Sequence, residues 1–238
     1  MQKYQINRQN FQKLNKPDAI IFDWDNTLVD TWPLIHNSIN RTMEAMKKPI
    51  WSFEKVKNTV HKSMRESFPE IFGSNWQEAG DIYKKSYQEV HFDKICLLPN
   101  SLNLLEFLLQ NNIKVFLVSN KIGTTLRKEV KKLNLEKYFF SIVGAHDADF
   151  DKPKVEPVNL ALMTSEIDLE KNYIWFIGDT IADVECAHNC KVEPIIYGSD
   201  VDEVSITISS DILANGFCKT KAPALYFDHQ EVIDLLGK

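Results

Sequence analysis

The sequence predicts an α/β fold in which a parallel sheet carries helices on both faces and is interrupted by a helical insert. Short apolar runs bounded by polar residues recur along the chain, and most segments between them have the apolar spacing of helices. Strands that alternate with helices are joined by right-handed crossovers, which makes their sheet parallel. One long stretch in the first half of the chain has helical spacing and no convincing strand, and it interrupts this alternation.

Five apolar runs are the predicted strands of a Rossmann-like core. They are short and bounded by polar or turn residues, as buried strands are. In chain order they are AIIFD (19–23), KVFLVSN (114–120), FFSIVG (139–144), YIWFIGD (173–179) and the shorter EPIIYG (193–198). The segments SLNLLEFLLQNN (101–112) and TTLRKEVKKLNL (124–135) are predicted helices between them.

The strand pattern divides the chain into three parts. Residues 1–16 are polar, and we expect a loosely held arm or a short surface helix there. Residues 17–30 and 96–238 form the predicted core, and residues 31–95 form the helical insert. Proline and glycine residues divide this insert into about four helices. They are Pro33, Pro49, Pro69 and Gly73.

Composition excludes several classes of protein. A chain of 238 residues that is 44% hydrophobic can bury a sizeable core, and a net charge of -5 argues against a general nucleic-acid or membrane-surface binder. No apolar run reaches the roughly 18 residues of a membrane span, and the N-terminus lacks the apolar core of a signal peptide, so we expect a cytoplasmic protein. The cysteines show no disulfide framework, and ECAHNC (185–190) is interpreted as buried thiols rather than a metal site.

Chemically reactive side chains follow three of the predicted strands. Ligands of such sheets bind beyond the carboxyl ends of the strands, where neighbouring loops converge. The residues at these positions are Asp23, Asp25 and Thr27 after the first run, Ser119 and Asn120 after the second, and Asp179 and Asp183 after the fourth. Four crowded carboxylates would repel each other unless a cation lay among them, and an oxygen-rich ligand set suits Mg²⁺.

Lys152 and Ser119 add groups that bind phosphate. A lysine charge, a hydroxyl and the backbone N–H groups around residues 24–27 and 119–120 would bind the oxygens of a phosphoryl group, with Mg²⁺ neutralising the remaining charge. A carboxylate can then attack phosphorus, so these residues predict phosphoryl transfer.

Four motifs occur in an order and spacing that resemble a known family. They are DWDNT (23–27), VSN (118–120), KPKVEP (152–157) and GDTIAD (178–183). Together they resemble the haloacid dehalogenase superfamily of phosphohydrolases, over roughly residues 17–200. The helical insert resembles the small cap of phosphoglycolate phosphatase-like members, and residues 31–95 are called the cap below.

The resemblance implies a role for each motif residue. Asp23 would be the nucleophile that forms an aspartyl-phosphate, and Asp25 would protonate the leaving oxygen and then activate water. The groups implied to hold Mg²⁺ are Asp23, the backbone carbonyl of Asp25, Asp179, and Asp183 through water. The residues implied to bind the substrate phosphate are Thr27, Ser119, Asn120 and Lys152.

Some positions depart from the family pattern. Asn26 stands where glycine is commonest, and asparagine tolerates unusual backbone dihedrals better than most residues. Val155 replaces a usual second proline, and the nearby Lys154 is an alternative phosphate ligand to Lys152, which is preferred because it keeps the family's spacing. Lys191 replaces a helix-ending glycine, which affects only the local helix end.

One basic segment of the cap is a candidate specificity site. In HKSMRESF (61–68), His61 and Arg65 lie one helical turn apart with Lys62 adjacent. This face could meet a substrate carboxylate or a second phosphate. The alternative is a solvated helix face.

The leading interpretation is a Mg²⁺-dependent phosphatase of a small phosphorylated metabolite, with 2-phosphoglycolate as the named candidate. A phosphomutase of the β-phosphoglucomutase type is the second interpretation. A dehalogenase is disfavoured because those relatives lack a metal site, and a non-catalytic binding module is disfavoured because every chemical position is intact. We expect a monomer or homodimer that binds neither nucleic acid nor membranes.

Overall fold

The structure is a computed structural model that describes residues 2–4, 8–60, 63–91, 95–198, 206–208 and 223–238. The strands are β1 Gln2–Tyr4, β2 Ala19–Phe22, β3 Val29–Asp30, β4 Cys96–Leu97, β5 Lys114–Ile122, β6 Ser141–Ala145, β7 Ile174–Gly178, β8 Glu193–Tyr197, β9 Ile206–Ile208 and β10 Ala224–Tyr226. The α-helices are α1 Arg8–Phe11, α2 Trp32–Ala45, α3 Phe53–Thr59, α4 Met64–Phe72, α5 Trp76–His91, α6 Ser101–Gln110, α7 Gly123–Lys132, α8 Glu156–Leu162, α9 Ile181–Asn189 and α10 His229–Leu236. Short 3₁₀ helices cover Gly73–Asn75 and Glu136–Tyr138.

Six strands form one parallel sheet in the order β10-β8-β7-β2-β5-β6, which confirms the predicted α/β fold. β2 lies inside the sheet, and its first residue, Ala19, pairs with Lys114 of β5 and with Ile174 of β7. The edge strand β10 was not among the predicted runs. It pairs with β8 and extends the sheet by one strand.

The side chains of β2 alternate between two apolar layers, because successive residues of a strand point to opposite faces. Ile20 and Phe22 belong to the layer that contains residues of α6, α7 and α10. Ala19 and Ile21 belong to the layer that contains residues of α8 and α9. All four residues of β2 are buried as a result.

Helices α2 to α5 occupy the segment predicted to be the cap, and they surround an apolar cluster of their own. This cluster includes Leu34, Ile39, Met43, Phe68 and Phe72. A short antiparallel pair, β3 with β4, connects the two ends of the segment.

Of two residues predicted to break helices, Gly73 ends a helix and Pro69 does not. Gly73 ends α4 with a φ of 62°, a left-handed conformation that favours glycine. Pro69 lies within α4 instead of separating two helices. Its ring removes one intrahelical bond and crowds the carbonyl of Arg65, but Phe68 and Phe72 on either side of it are buried in the cap cluster, and such packing stabilises the helix.

The predicted polar arm is attached to the core through α1. Phe11 is fully buried, and its ring stacks on Tyr226 of β10 with centroids 5.2 Å apart and lies 6.3 Å from the ring of Trp175. This contact covers the end of the sheet that carries β10. Among the described residues, no helix combines the length and apolar character needed to cross a bilayer.

Candidate active site

Asp23 lies at the carboxyl edge of the sheet, directly after β2. Its backbone N–H donates to the carbonyl of Ile177 in β7 at 2.8 Å, and the residue is 6% exposed. Parallel strands end at the same edge, so the ends of β5 and β7 bring Ser119 and Asp179 to the cavity that Asp23 also lines.

Lys152 joins two of the acids. Its Nζ atom donates to Asp23 Oδ1 at 2.7 Å and to Asp183 Oδ1 at 2.6 Å, and all three side chains are buried. Burial by itself would lower the pKa of Lys152, but the carboxylates of Asp183 and Asp23 outweigh it and raise the pKa above its ordinary value. Lys152 is therefore charged, and the two acids share its positive charge.

The first turn of α9 holds Asp183. The backbone N–H and the hydroxyl of Thr180 donate to Asp183 Oδ2 at 2.9 Å and 2.6 Å, in a capping box. A Cβ atom at Gly178 would collide with the Asp183 carboxylate, so glycine permits this close approach. One oxygen of Asp183 is thus held by its own helix and the other by Lys152.

Three acids form a cluster suited to a metal ion. Asp23, Asp179 and Asp183 each offer a carboxylate oxygen within 4.8 Å of the others. Burial raises the pKa of Asp23 to about 6, with Asp183 and Asp25 adding to the rise and Lys152 opposing it. Burial, followed by the charges of Asp23 and Asp183, raises the pKa of Asp179 well above its ordinary value. Three ionised carboxylates exceed the single charge of Lys152, and a divalent cation such as Mg²⁺ fits this oxygen-rich set.

Asn26 shapes the loop that follows Asp23. Its φ is 57°, in the left-handed region that asparagine tolerates. Its Oδ1 atom accepts hydrogen bonds from the backbone N–H groups of Thr31 at 3.1 Å and Trp32 at 2.9 Å. Asparagine therefore suits this turn and also connects it to the start of α2.

Thr27 is buried beside Asp179, and their Oγ1 and Oδ1 atoms are 3.5 Å apart. Its carbonyl oxygen accepts a hydrogen bond of 2.8 Å from Nε2 of His229 in α10. Burial lowers the pKa of His229 to about 4, so the imidazole is neutral at physiological pH. Helix α10 thus supports the backbone of the loop that carries the acids.

A cavity of about 140 Å³ lies between the cap and the acids. Its core side is lined by Asp23, Asp25, Ser119, Lys152 and Asp179. Most described cap residues on its wall are apolar or aromatic. They include Trp32, Ile35, Ile39, Met64, Phe68 and Tyr83.

Comparison with known proteins identifies the family. Residues 20–196 match the family described as haloacid dehalogenase-like hydrolases, over more than half of the chain. The chain belongs to this family. The resemblance carried by the four motifs is therefore confirmed, and the chain is a hydrolase of the phosphatase type.

Several relatives of this haloacid dehalogenase-like hydrolase are similar along most of their length. Pyrophosphatase PpaX of Listeria welshimeri is 26% identical over 177 residues, which are 74% of this chain and 81% of that protein. Phosphoglycolate phosphatase of Salmonella typhi is 24% identical over 246 residues, covering 92% and 96% of the two chains. A solved hydrolase of the superfamily from Ehrlichia chaffeensis has a TM-score of 0.61 and 28% identity, covering 94% of this chain and 98% of that one. A haloacid dehalogenase-like protein of Streptococcus pneumoniae, at 22% identity, shares the fold with a TM-score of 0.71, covering 91% and 96%.

Ser119 and Asn120 of the hydrolase lie near the end of β5. The Ser119 hydroxyl accepts a hydrogen bond of 3.2 Å from the backbone N–H of Lys121. The Asn120 side-chain amide donates to the carbonyl of Lys152 at 3.1 Å, so it holds the loop that carries this lysine. The Lys154 side chain is exposed, whereas that of Lys152 lies among the acids. Phosphate binding by Ser119, Asn120 and Lys152 stays a prediction.

Arg65 connects the cap to the core. Its Nε lies 2.6 Å from Asp151 Oδ2, and its Nη2 donates to Asp151 Oδ1 at 2.6 Å. Asp151 directly precedes Lys152, and its side chain is 1% exposed. Arg65 thus has a core carboxylate as its partner, and a direct contact with substrate stays a prediction. His61 lies outside the described residues.

Sequence reasoning missed Lys121, a second buried lysine in the hydrolase. Its Nζ lies 2.6 Å from Asp25 Oδ1, whereas the Nζ of Lys152 contacts Asp23, the other acid of the DWDNT motif. Its sequence signal is its position directly after the VSN motif, at the strand end where ligands bind.

Proposed function

We propose that this hydrolase is a Mg²⁺-dependent phosphatase that cleaves a small phosphorylated metabolite through an aspartyl-phosphate at Asp23. The observation that carries the proposal is the cluster at the carboxyl edge of the sheet. There Lys152 bridges Asp23 and Asp183 at 2.7 Å and 2.6 Å, and Asp179 lies within metal-binding reach of both acids. A nucleophilic carboxylate, a buried cation and a metal-ligand set are the parts that phosphoryl transfer needs.

The residues that would hold Mg²⁺ are Asp23, Asp179 and the backbone carbonyl of Asp25, with Asp183 bound through water. When bound, the ion neutralises the acids and the phosphate oxygens, which lets a carboxylate and a phosphate approach each other. This division of roles agrees with the hydrogen bonds of Asp183, because its two oxygens are already held by Thr180 and Lys152.

The reaction assigned to these residues has two halves. An oxygen of Asp23 forms a bond to phosphorus while the bond to the leaving oxygen breaks, and Asp25 gives that oxygen its proton. Asp25, now ionised, takes a proton from a water that attacks the aspartyl-phosphate, which releases phosphate and restores Asp23. Lys152, Thr27 and Ser119 would bind the phosphate oxygens in both halves.

The cavity and the relatives bear on the substrate. A cavity of about 140 Å³ suits a small leaving group. Lys84 is the one cation that the described cap residues contribute to its wall. Its Nζ pairs with the exposed Asp81 at 3.2 Å, and it would have to exchange this partner to meet a substrate carboxylate. Relatives named phosphoglycolate phosphatase and pyrophosphatase support two candidates, 2-phosphoglycolate first and pyrophosphate second.

Phosphate release from 2-phosphoglycolate, pyrophosphate and several sugar phosphates, with Mg²⁺ and with EDTA, tests the proposal. We expect Mg²⁺-dependent turnover that falls at least about a thousandfold in Asp23→Asn, while Asp149→Asn, a change of an exposed acid, keeps wild-type activity. Full activity of Asp23→Asn, or turnover that is insensitive to EDTA, would overturn the mechanism. Isomerisation of a sugar phosphate without phosphate release would identify a phosphomutase instead.

A further inference from the structure

Lys121 is the centre of a buried hydrogen-bond network between the cap and the core. It lies near the end of β5 with a side chain that is 7% exposed. Its Nζ atom donates to Asp25 Oδ1 at 2.6 Å, to the hydroxyl of Tyr87 at 2.7 Å and to Glu129 Oε2 at 2.9 Å. A lysine ammonium has three N–H groups, so all three are used.

Glu129 keeps Lys121 in place independently of Asp25. Glu129 is fully buried in α7, and its Oε2 also accepts a hydrogen bond of 2.6 Å from the indole N–H of Trp24. Trp24 is itself fully buried and lies between Asp23 and Asp25 in the chain. Because Lys121 and Glu129 neutralise each other, the lysine stays paired when Asp25 moves or changes its protonation.

Asp25 is the carboxylate of the network that can also contact a substrate. It lines the cavity, and its side chain is more exposed than those of Lys121 and Glu129. Lys121 binds its Oδ1, and within the described part of the chain its Oδ2 makes no hydrogen bond. A carboxyl group held by one oxygen in this way can present the other oxygen to a substrate in the cavity.

Tyr87 connects the cap to the same hydrogen-bond network. It belongs to α5, and its hydroxyl accepts the hydrogen bond from Lys121 across the boundary between the cap and the core. The hydroxyl contact therefore forms only when α5 lies against the end of β5.

We infer that Lys121 is a positioning residue that orients Asp25 toward the leaving oxygen, and that Tyr87 makes this orientation depend on the seating of the cap. The inference rests on the proposed function, because it concerns the acid of that reaction. Lys121 itself gains and loses no proton in it. Glu129 and Tyr87 hold the charge of Lys121 beside Asp25. The lysine in turn fixes the Asp25 carboxyl, which would otherwise rotate in the cavity.

The test compares phenyl phosphate with p-nitrophenyl phosphate. The two esters have similar shapes, but phenol is the poorer leaving group and needs the proton from Asp25 more. The value of kcat/KM reports the steps up to the first irreversible bond cleavage, so it isolates proton donation from hydrolysis of the aspartyl-phosphate. We expect Lys121→Met to lower kcat/KM for phenyl phosphate at least about tenfold more than for p-nitrophenyl phosphate. Tyr87→Phe should produce the same selective loss to a smaller extent.

Two controls separate positioning from folding. Lys128→Met changes an exposed lysine of α7 and should leave both esters unaffected. The double variant Lys121→Met with Glu129→Gln removes the lysine without leaving its buried counterion unpaired, so it tests the same point if the single variant does not fold. Its selective loss should match that of Lys121→Met.

The outcomes separate this inference from the proposed function. If Asp25→Asn loses phenyl phosphate selectively but neither lysine variant does, the inference is wrong and the proposed function stands. If Asp25→Asn shows no selective loss, the role of Asp25 is wrong and the inference falls with it. An equal loss for both esters in the lysine variants would indicate a merely structural role for Lys121, which also overturns the inference.

Discussion

Replacing Asp23, the proposed nucleophile, by asparagine should stabilise the metal-free protein while it abolishes activity. Burial raises the pKa of Asp23 from 3.8 to about 6, because the ionised carboxylate has lost its hydration. At neutral pH the folded protein must therefore hold a charge that the unfolded chain holds more easily. Asparagine has nearly the same shape, carries no charge and keeps an oxygen that can accept the hydrogen bond from Lys152.

The two pKa values set the magnitude. A tenfold change in proton affinity corresponds to about 1.4 kcal/mol, so the rise from 3.8 to about 6 corresponds to about 3 kcal/mol. The folded state binds this proton more tightly than the unfolded state, so the wild type loses stability as the pH rises from 3.8 through about 6. The full cost is present above that range. Asp23→Asn lacks the cost but weakens one contact of Lys152, so we expect a gain of roughly 1–3 kcal/mol at about pH 8 and none at about pH 4.

Urea denaturation in EDTA at these two pH values measures the gain as a change in the free energy of unfolding. Asp149→Asn is the matched control, since Asp149 is exposed. Mg²⁺ should stabilise the wild type, by about 2.7 kcal/mol at a free concentration about 100 times its Kd, and should stabilise Asp23→Asn less. A variant that is less stable than the wild type at about pH 8 in EDTA, or a difference that does not change with pH, would refute the reasoning.

Two further predictions concern the supports of the site. Arg65→Met should lower the free energy of unfolding by roughly 1–3 kcal/mol in urea denaturation, because it leaves the buried Asp151 carboxylate without its cation. The control Arg41→Met removes an exposed ion pair and should lower it by less than about 1 kcal/mol. Equal losses in the two variants would contradict this prediction. Burial lowers the pKa of His229 to about 4, so the unfolded chain binds a proton that the folded protein does not. As the pH drops from 6.5 to about 4, this group should lower wild-type stability by about 3 kcal/mol, against the opposite contribution of Asp23. His229→Gln, which can still donate to the Thr27 carbonyl, should lose less over that range, and an unchanged pH dependence of unfolding would count against the assignment.

Local patterns were sufficient to predict most of the sheet and the meeting of its acids. Apolar runs of strand length identified β2, β5, β6, β7 and β8, and the rule that ligands bind at the carboxyl ends of strands predicted that Asp23 and Asp179 would meet. The strand β10 was missed, because its three residues are too short a run to show any periodicity. It is a strand because β8 offers it an edge to pair with and Phe11 covers its side chains.

The order of the strands and the pairing of the cations were decided by the tertiary structure. Nothing local to β2 indicates that β5 and β7 are both its neighbours. The sequence shows Lys121 directly after the VSN motif and Arg65 on a basic segment of the cap, but it does not show which acid either of them binds. Lys121 binds Asp25, 96 residues away, and Arg65 binds Asp151, 86 residues away.

By itself, the sequence determined the fold class, the family and the acids of the candidate site, because apolar periodicity and strand-end motifs are properties of neighbouring residues. The tertiary structure decided which acid each cation neutralises and how the cap reaches the core. The physical reason is that electrostatic and hydrogen-bond energies depend on distance in space and on exclusion of water, and both are set only when distant segments pack together.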